Sequence, residues 1–211
     1  MDENMNEKEQ WEELKAWLRE NSVWIVAGVL VGAGGVGGWR LYQDRVERLA
    51  HAASEKYEQL LGALNGNDRT RATAIVSELG SDHAGSPYLD QAQLAMARAA
   101  VDAGDFARAH GLLEAIMKSS KDPELALVAR LRLARVQIAE GKADDALATL
   151  RSADAAGEFA PRFAEVRGDA LLAKGDRKGA LEAYRVANAA KTPGVVDPDT
   201  LDLKTRDFAS Q

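Results

Sequence analysis

The chain has 211 residues, 27 of them basic and 33 acidic, with a formal net charge of −6 and no cysteine. The missing cysteine excludes disulfides, a thiolate nucleophile and cysteine-ligated metals, and the acidic balance argues against nucleic-acid binding, which a basic surface usually serves. An apolar content of 46% with only 6% aromatic residues indicates a folded, helix-rich protein.

The first segment, residues 1–21, is a strongly polar tail. It holds seven acidic and three basic side chains, a net charge of −4. Trp11, Leu14 and Leu18 recur at helical spacing and predict a short amphipathic helix. We interpret residues 1–21 as an acidic tail that precedes a different kind of element.

An apolar segment follows, and we predict a transmembrane helix over residues 22–40. Residues 23–39 carry no charged side chain, and as a helix they would extend about 26 Å, near the lower limit for spanning a bilayer. Trp24 and Trp39 lie near the two ends, where indole rings favour the membrane interface, and Arg40 can extend toward the head groups. Basic residues are similarly frequent on both sides, so charge does not fix the orientation.

Glycines make this segment unusual. Gly28 and Gly32 are four residues apart, as are Gly34 and Gly38, and this spacing lets a second membrane helix approach closely. Two alternatives are less favoured. A cleaved signal peptide conflicts with the acidic flank and the missing cleavage site. A dinucleotide-binding loop at residues 32–37 conflicts with the lack of alternating strands and helices downstream.

A recurring helical pattern occupies residues 44–211. Gly104, Gly141 and Gly175 each follow an apolar helix end and precede a short polar turn, with an alanine five residues later. The pattern predicts helix–turn–helix units of about 34 residues, in which glycine ends the first helix in a left-handed conformation. A weaker copy near residues 66–68 gives about four units, enough to bury a shared core by stacking.

The repeat resembles the tetratricopeptide repeat. The last unit resembles it most, at Gly168, Leu171, Gly175, Ala180 and Tyr184. We therefore predict an all-α protein with a single N-terminal transmembrane helix followed by a tetratricopeptide-like helical repeat domain. Residues 199–211 permit either a final capping helix, which we favour, or a strand.

No pattern of residues predicts catalysis. His51, His83 and His110 are far apart, and no metal-binding histidine motif, nucleophile elbow or phosphate loop is present. The acidic pair Asp144 and Asp145 lies where acids favour the start of a helix. We predict no catalytic residue, no metal and no cofactor, and hence no enzyme.

The first helix of each unit carries the candidate binding residues, because tetratricopeptide stacks expose these helices on their concave side. We predict a partner-binding face from the polar residues there: Gln91, Arg98, Asp102, Arg132, Arg135, Arg162, Glu165 and Asp169. The alternative is that these side chains are solvated or pair within the stack.

Residues 131–137 and 167–176 are similar to characteristic segments of the YfgM family, the ancillary subunits of the bacterial Sec translocon. The resemblance implies a single-pass inner-membrane protein with residues 1–21 in the cytoplasm and the repeats in the periplasm. It implies association with the SecYEG channel and with PpiD, a membrane-anchored chaperone, and transfer of translocating polypeptides to periplasmic chaperones. It carries no catalytic residues.

These observations lead to two functional hypotheses. The first is a non-enzymatic, membrane-anchored interaction protein that acts as an ancillary subunit of the Sec translocon and links it to periplasmic chaperones. The second is a general envelope scaffold for another membrane assembly complex. Both use the same architecture and differ in their partners.

Overall fold

The computed structural model describes residues 3–151, 157–189 and 197–209, and within these ranges the chain is helical with no strand. The helices are α1 (Glu3–Asn65), α2 (Arg69–Asp82), α3 (Pro87–Asp102), α4 (Phe106–Ser119), α5 (Pro123–Ala139), α6 (Ala143–Arg151), α7 (Ala160–Ala173), α8 (Arg177–Ala189) and α9 (Pro198–Ala209). A 3₁₀ turn, Gly157–Phe159, precedes α7. The all-α prediction is confirmed.

The chain divides into two compact units, Met1–Ala52 and Ala53–Gln211. The predicted boundaries at residues 21, 40 and 44 remain predictions, and residues 1–2, 152–156, 190–196 and 210–211 of those predicted ranges lie outside the described part of the chain.

The first unit contains helix α1 up to residue 52. The short tail helix expected from Trp11 and Leu18 is not a separate element, because α1 begins at Glu3 and runs through the tail. Pro87 is the first proline of the chain, so no proline interrupts the backbone hydrogen bonds of α1. One stretch of α1 is long and apolar enough to cross a membrane by length and composition, and none of that stretch is buried.

The second unit is built from helix hairpins joined by equivalent turns. Gly104, Gly141 and Gly175 have φ of 74°, 76° and 83°, so the predicted left-handed helix ends are confirmed. In the first hairpin Asn67 takes this position with φ 55°, because asparagine tolerates the left-handed region better than most residues. At each turn two backbone N–H groups return to the preceding helix; the Asp105 N–H, for example, donates to the Ala100 carbonyl at 2.8 Å.

Aspartates start the helices that follow three of the four turns, at Asp68, Asp105 and Asp176. The Asp68 carboxylate accepts a hydrogen bond from the Arg71 N–H at 3.0 Å, and the Asp105 carboxylate accepts one from the Arg108 N–H at 3.1 Å. Each bond satisfies a backbone donor that the first helical turn leaves free. The turn therefore both ends one helix and starts the next.

Small residues mark the helix contacts. The alanine five residues after each left-handed position is fully buried: Ala72, Ala109, Ala146 and Ala180. First helices of consecutive units also touch, α3 against α5 and α5 against α7. Helix α9 packs on α8 with Leu201 buried, so the capping-helix interpretation is correct and the strand alternative is wrong.

Candidate partner-binding groove

A groove of about 390 Å³ lies where α3 and α5 meet, a volume within the range of small-ligand pockets. Its apolar surface comes from Ala97, Val101, Leu113, Val136 and Ala139, and its charged rim from Arg98, Asp102, Arg132 and Arg135. We call this feature the arginine groove. It gathers four of the eight residues predicted for the partner-binding face.

Helical spacing explains why these four residues lie close together. Arg98 and Asp102 lie one turn apart on α3, and Arg132 and Arg135 lie one turn apart on α5. Arg98 and Arg135 each stand six residues before the left-handed glycine of their own turn. Since α3 and α5 are in contact, the repeat places equivalent arginines beside each other.

The groove carries an excess of positive charge. Arg98 Nε lies 3.7 Å from the Asp102 carboxylate, but both side chains are largely exposed, so this ion pair is weak. Arg132 makes no ion pair within the described residues. Burial lowers the pKa of the Arg132 guanidinium, and the like charges of Arg98 and Arg135 lower it further.

Glu165 and Asp169, also predicted for the binding face, lie in a closed cluster on α7. Lys204 of α9 donates hydrogen bonds to Glu165 at 3.0 Å and to Asp169 at 2.8 Å. The Tyr184 hydroxyl donates to Asp169 at 2.8 Å, and the Lys204 ammonium lies 5.5 Å from the centre of the Tyr184 ring. Arg135 is the link to the groove, 3.9 Å from Glu165. We call Glu165, Asp169, Tyr184 and Lys204 the acidic clasp.

The contacts within the acidic clasp change the pKa values of Lys204 and Tyr184. Burial alone lowers the pKa of Lys204, but the hydrogen bonds to Asp169 and Glu165 outweigh it and the pKa is raised. Burial, followed by the hydrogen bond to Asp169, raises the pKa of Tyr184 well above its ordinary value. Both groups are therefore held in their protonated forms.

The two remaining predicted residues stand apart. Gln91 near the start of α3 and Arg162 near the start of α7 are half-buried, and neither lines the arginine groove. Lys204 was not anticipated from the sequence, because it reaches partners 35 and 39 residues away. Tyr184 could be recognised in the sequence, since it stands at a consensus-like position of the repeat.

The residues predicted for the membrane lie on α1 in the first unit. Apart from the neighbouring backbone of α1, no atom of the described residues lies within 4 Å of a Cβ added at Gly28, Gly32, Gly34 or Gly38. Trp24 is 79% exposed and Trp39 is 62% exposed. Arg40 is exposed as well, one residue after Trp39. The structure thus leaves these predicted positions open on the helix surface.

The described residues contain no group of three His, Asp or Glu side chains that could hold a metal ion. His51 lies on α1, His83 follows α2 and His110 lies on α4, so the three imidazoles belong to different elements. Six of the eight residues predicted for the partner-binding face lie instead in the arginine groove or the acidic clasp.

Comparison with known proteins identifies related sequences. A family model described as a tetratricopeptide repeat-like domain matches residues 15–210. Three relatives are each named "Ancillary SecYEG translocon subunit". The protein of Escherichia coli is 33% identical over 85% of each chain. That of Aggregatibacter actinomycetemcomitans is 32% identical over 95% of this chain and 96% of its own. That of Haemophilus influenzae is 30% identical over 87% of this chain and 89% of its own. No solved structure matches the chain.

Proposed function

Since the chain belongs to the family of ancillary SecYEG translocon subunits, we propose that it is a non-enzymatic, membrane-anchored interaction protein that associates with this translocon. Its repeats then link the translocon to a chaperone during protein translocation. The observation that carries the proposal is the match to relatives of this name over nearly the whole chain, including the apolar segment.

The exposed apolar surface of α1 supports anchoring in the inner membrane. Val23, Trp24, Leu30 and Val31 are between 67% and 79% exposed. A contiguous apolar surface of this kind is unfavourable in water and marks a membrane or protein contact. In a bilayer the backbone of such a helix is internally satisfied and its side chains match the lipid. We propose that residues 22–40 span the membrane.

The orientation is part of the proposal. Residues 1–21 lie in the cytoplasm and the repeats from residue 44 lie in the periplasm. Its support is the resemblance of residues 131–137 and 167–176 to the family segments, and the absence of cysteine suits an oxidising compartment.

The repeats supply the partner contacts. Helices α3, α5 and α7 pack side by side, and the arginine groove at α3 and α5 offers charged and apolar groups to a polypeptide segment. A PpiD-type membrane-anchored chaperone is the partner that the family resemblance suggests, with translocating polypeptides as its clients. A non-catalytic role agrees with a sequence that has neither cysteine nor a nucleophile motif.

Co-purification tests the proposal. The full chain, extracted in a mild non-ionic detergent, is expected to bring down SecYEG and a membrane-anchored chaperone. Recovery of neither would contradict the proposal. Recovery of a different envelope assembly complex would instead establish the scaffold function.

A pair of substitutions tests the membrane-level contact. Replacing Gly28 and Gly32 by leucine is expected to weaken recovery of SecYEG, because the added side chains keep a neighbouring helix away. Gly37→Leu is the matched control, since helical geometry places it about half a turn from the Gly28–Gly32 face. Equal recovery with both variants would show that these glycines only fill the span.

A further inference from the structure

We propose that the arginine groove binds an acidic segment of a partner polypeptide, in which carboxylates flank an apolar side chain. The inference rests on the proposed function, because it states the chemistry that the repeats recognise. Four observations support it: the charge of the lining, the lack of an ion pair at Arg132 in the described part of the chain, the apolar surface beneath, and the ion pairs that hold the neighbouring acids.

The charge of the lining is opposite to that of the protein. Three arginines and one aspartate line the groove, a net charge of +2 in a chain whose formal net charge is −6. Asp102 forms an ion pair with Arg98 at 3.7 Å, and both side chains are exposed. The groove therefore attracts anionic groups even though the whole chain repels them at longer range.

Arg132 is the centre of this attraction. Its guanidinium has no ion pair within the described residues, and the like charges of Arg98 and Arg135 act on it. Two neighbouring cations disfavour its charged state, and a bound carboxylate would offset this repulsion. Arginine suits this role, because its planar fork binds a carboxylate through two parallel hydrogen bonds.

The apolar surface identifies a polypeptide rather than a small anion as the occupant. Ala97, Leu113 and Val136 are buried beneath the groove, and Val101 and Ala139 complete its apolar lining. An inorganic anion would leave this surface unused, whereas an apolar side chain between acidic neighbours covers it. An anionic lipid surface is too flat to enter a groove between two helices, which leaves a peptide as the occupant.

Acids near the groove do not neutralise it. Glu165 lies 3.9 Å from Arg135, but it also accepts a hydrogen bond from Lys204, which is bound to Asp169 too. The acidic clasp therefore holds its own cation. Arg98 and Arg132 remain available to a ligand, and Arg135 can reach it by giving up only a long and partly exposed contact.

Peptide binding by the full chain tests the inference. The chain is placed in phosphatidylcholine nanodiscs, and a fluorescein-labelled peptide with two glutamates on each side of one leucine is titrated by fluorescence anisotropy. Matched peptides replace the glutamates by glutamine or lysine, or the leucine by serine. The acidic leucine peptide should bind best, and its binding should weaken as salt is raised.

Two variants separate the groove from general surface charge. Arg132→Gln should weaken binding of the acidic peptide about tenfold, because it removes a charge-assisted hydrogen bond. Arg185→Gln on α8 is the matched control and should leave binding unchanged, since Arg185 lies outside the groove beside Glu182. Glutamine keeps the helix propensity of arginine, so both variants retain the fold.

Three results would overturn the inference. They are equal binding of all the peptides, no effect of Arg132→Gln, and displacement of the peptide by phosphatidylglycerol vesicles whose own binding falls with Arg132→Gln. In each case co-purification of SecYEG with the wild-type chain shows separately whether the proposed function stands. If the translocon is still recovered, only the acidic-segment inference fails.

Discussion

The arginine groove and the acidic clasp use the same repeat position for different purposes. Six residues before the left-handed glycine stand Arg98, Arg135 and Asp169. In α3 and α5 this position faces an open groove, whereas in α7 a lysine and a tyrosine cover it. Repeats at the end of a stack must cover a face that has no further neighbour. The comparison shows how charge at one repeat position can serve recognition in the middle of the stack and cohesion at its end.

The largest expected effect concerns the packing behind the acidic clasp. A Cβ at Gly168 would collide with the Tyr184 ring, which is fully buried. Gly168→Ala should therefore lower the free energy of unfolding by about 1–3 kcal/mol, the usual cost of overpacking. Urea unfolding followed by circular dichroism measures this.

Gly111→Ala is the control for that substitution. Gly111 lies within α4, where an added Cβ meets no atom within 4 Å. The same change should there raise the free energy of unfolding by up to about 1 kcal/mol, because alanine favours the helix. A loss of equal size at both glycines would show that Tyr184 does not restrict position 168.

A second prediction removes the cation of the acidic clasp. Lys204→Met should lower the free energy of unfolding by about 1–2 kcal/mol, because Glu165 is nearly buried and loses its closest charged partner. Lys118→Met breaks an exposed pair with Glu114 and should cost no more than about 0.5 kcal/mol. Similar costs for the two lysines would contradict the distinction between a closed cluster and a surface pair.

The acidic clasp also predicts a dependence on pH. The pKa values of Lys204 and Tyr184 are raised in the folded chain, so their stabilisation is complete below their ordinary values of about 10. It is lost as the pH rises through the higher folded values. The difference in unfolding free energy between the wild type and Lys204→Met should stay constant from pH 7 to about pH 10 and then shrink. A constant difference at still higher pH would disprove the role of Lys204 charge.

The smallest effect is expected for the stability contribution of the arginine groove. Arg98→Gln should change the free energy of unfolding by less than about 0.5 kcal/mol, since Arg98 is 81% exposed and its ion pair is long. The change is measured in the same urea series. A cost as large as that of Lys204→Met would mean that the groove residues hold the stack together.

Local signals in the sequence predicted most of the fold. Short sequence patterns show where the chain turns, because a left-handed turn position favours glycine, as at residues 104, 141 and 175. They also show where two helices meet closely, because that contact favours the small side chain of alanine five residues later. The predicted tail helix was too short. The sequence has no proline after the tail within α1 that would end the helix, and such an absence is harder to recognise than a helix start. Helix α1 reaches Asn65 without a break.

The site was only partly predictable. Helical spacing and repeat alignment brought out Arg98, Asp102, Arg132 and Arg135, which share the arginine groove. The same reasoning selected Glu165 and Asp169, yet their contact with Lys204 depends on how α9 packs on the last hairpin. No local pattern encodes that contact, since a lysine on an isolated helix face is ordinarily solvated.

Site-specific photo-crosslinking in intact cells tests directly whether the arginine groove contacts a partner. A photoreactive amino acid replaces Ala139, which is exposed at the arginine groove, or Ala148, which is exposed on α6 outside it. We expect crosslinks from position 139 to a periplasmic segment of a translocon-associated partner, with little or no crosslinking from position 148. Crosslinks only from position 148, or equal crosslinks from both positions, would contradict this expectation.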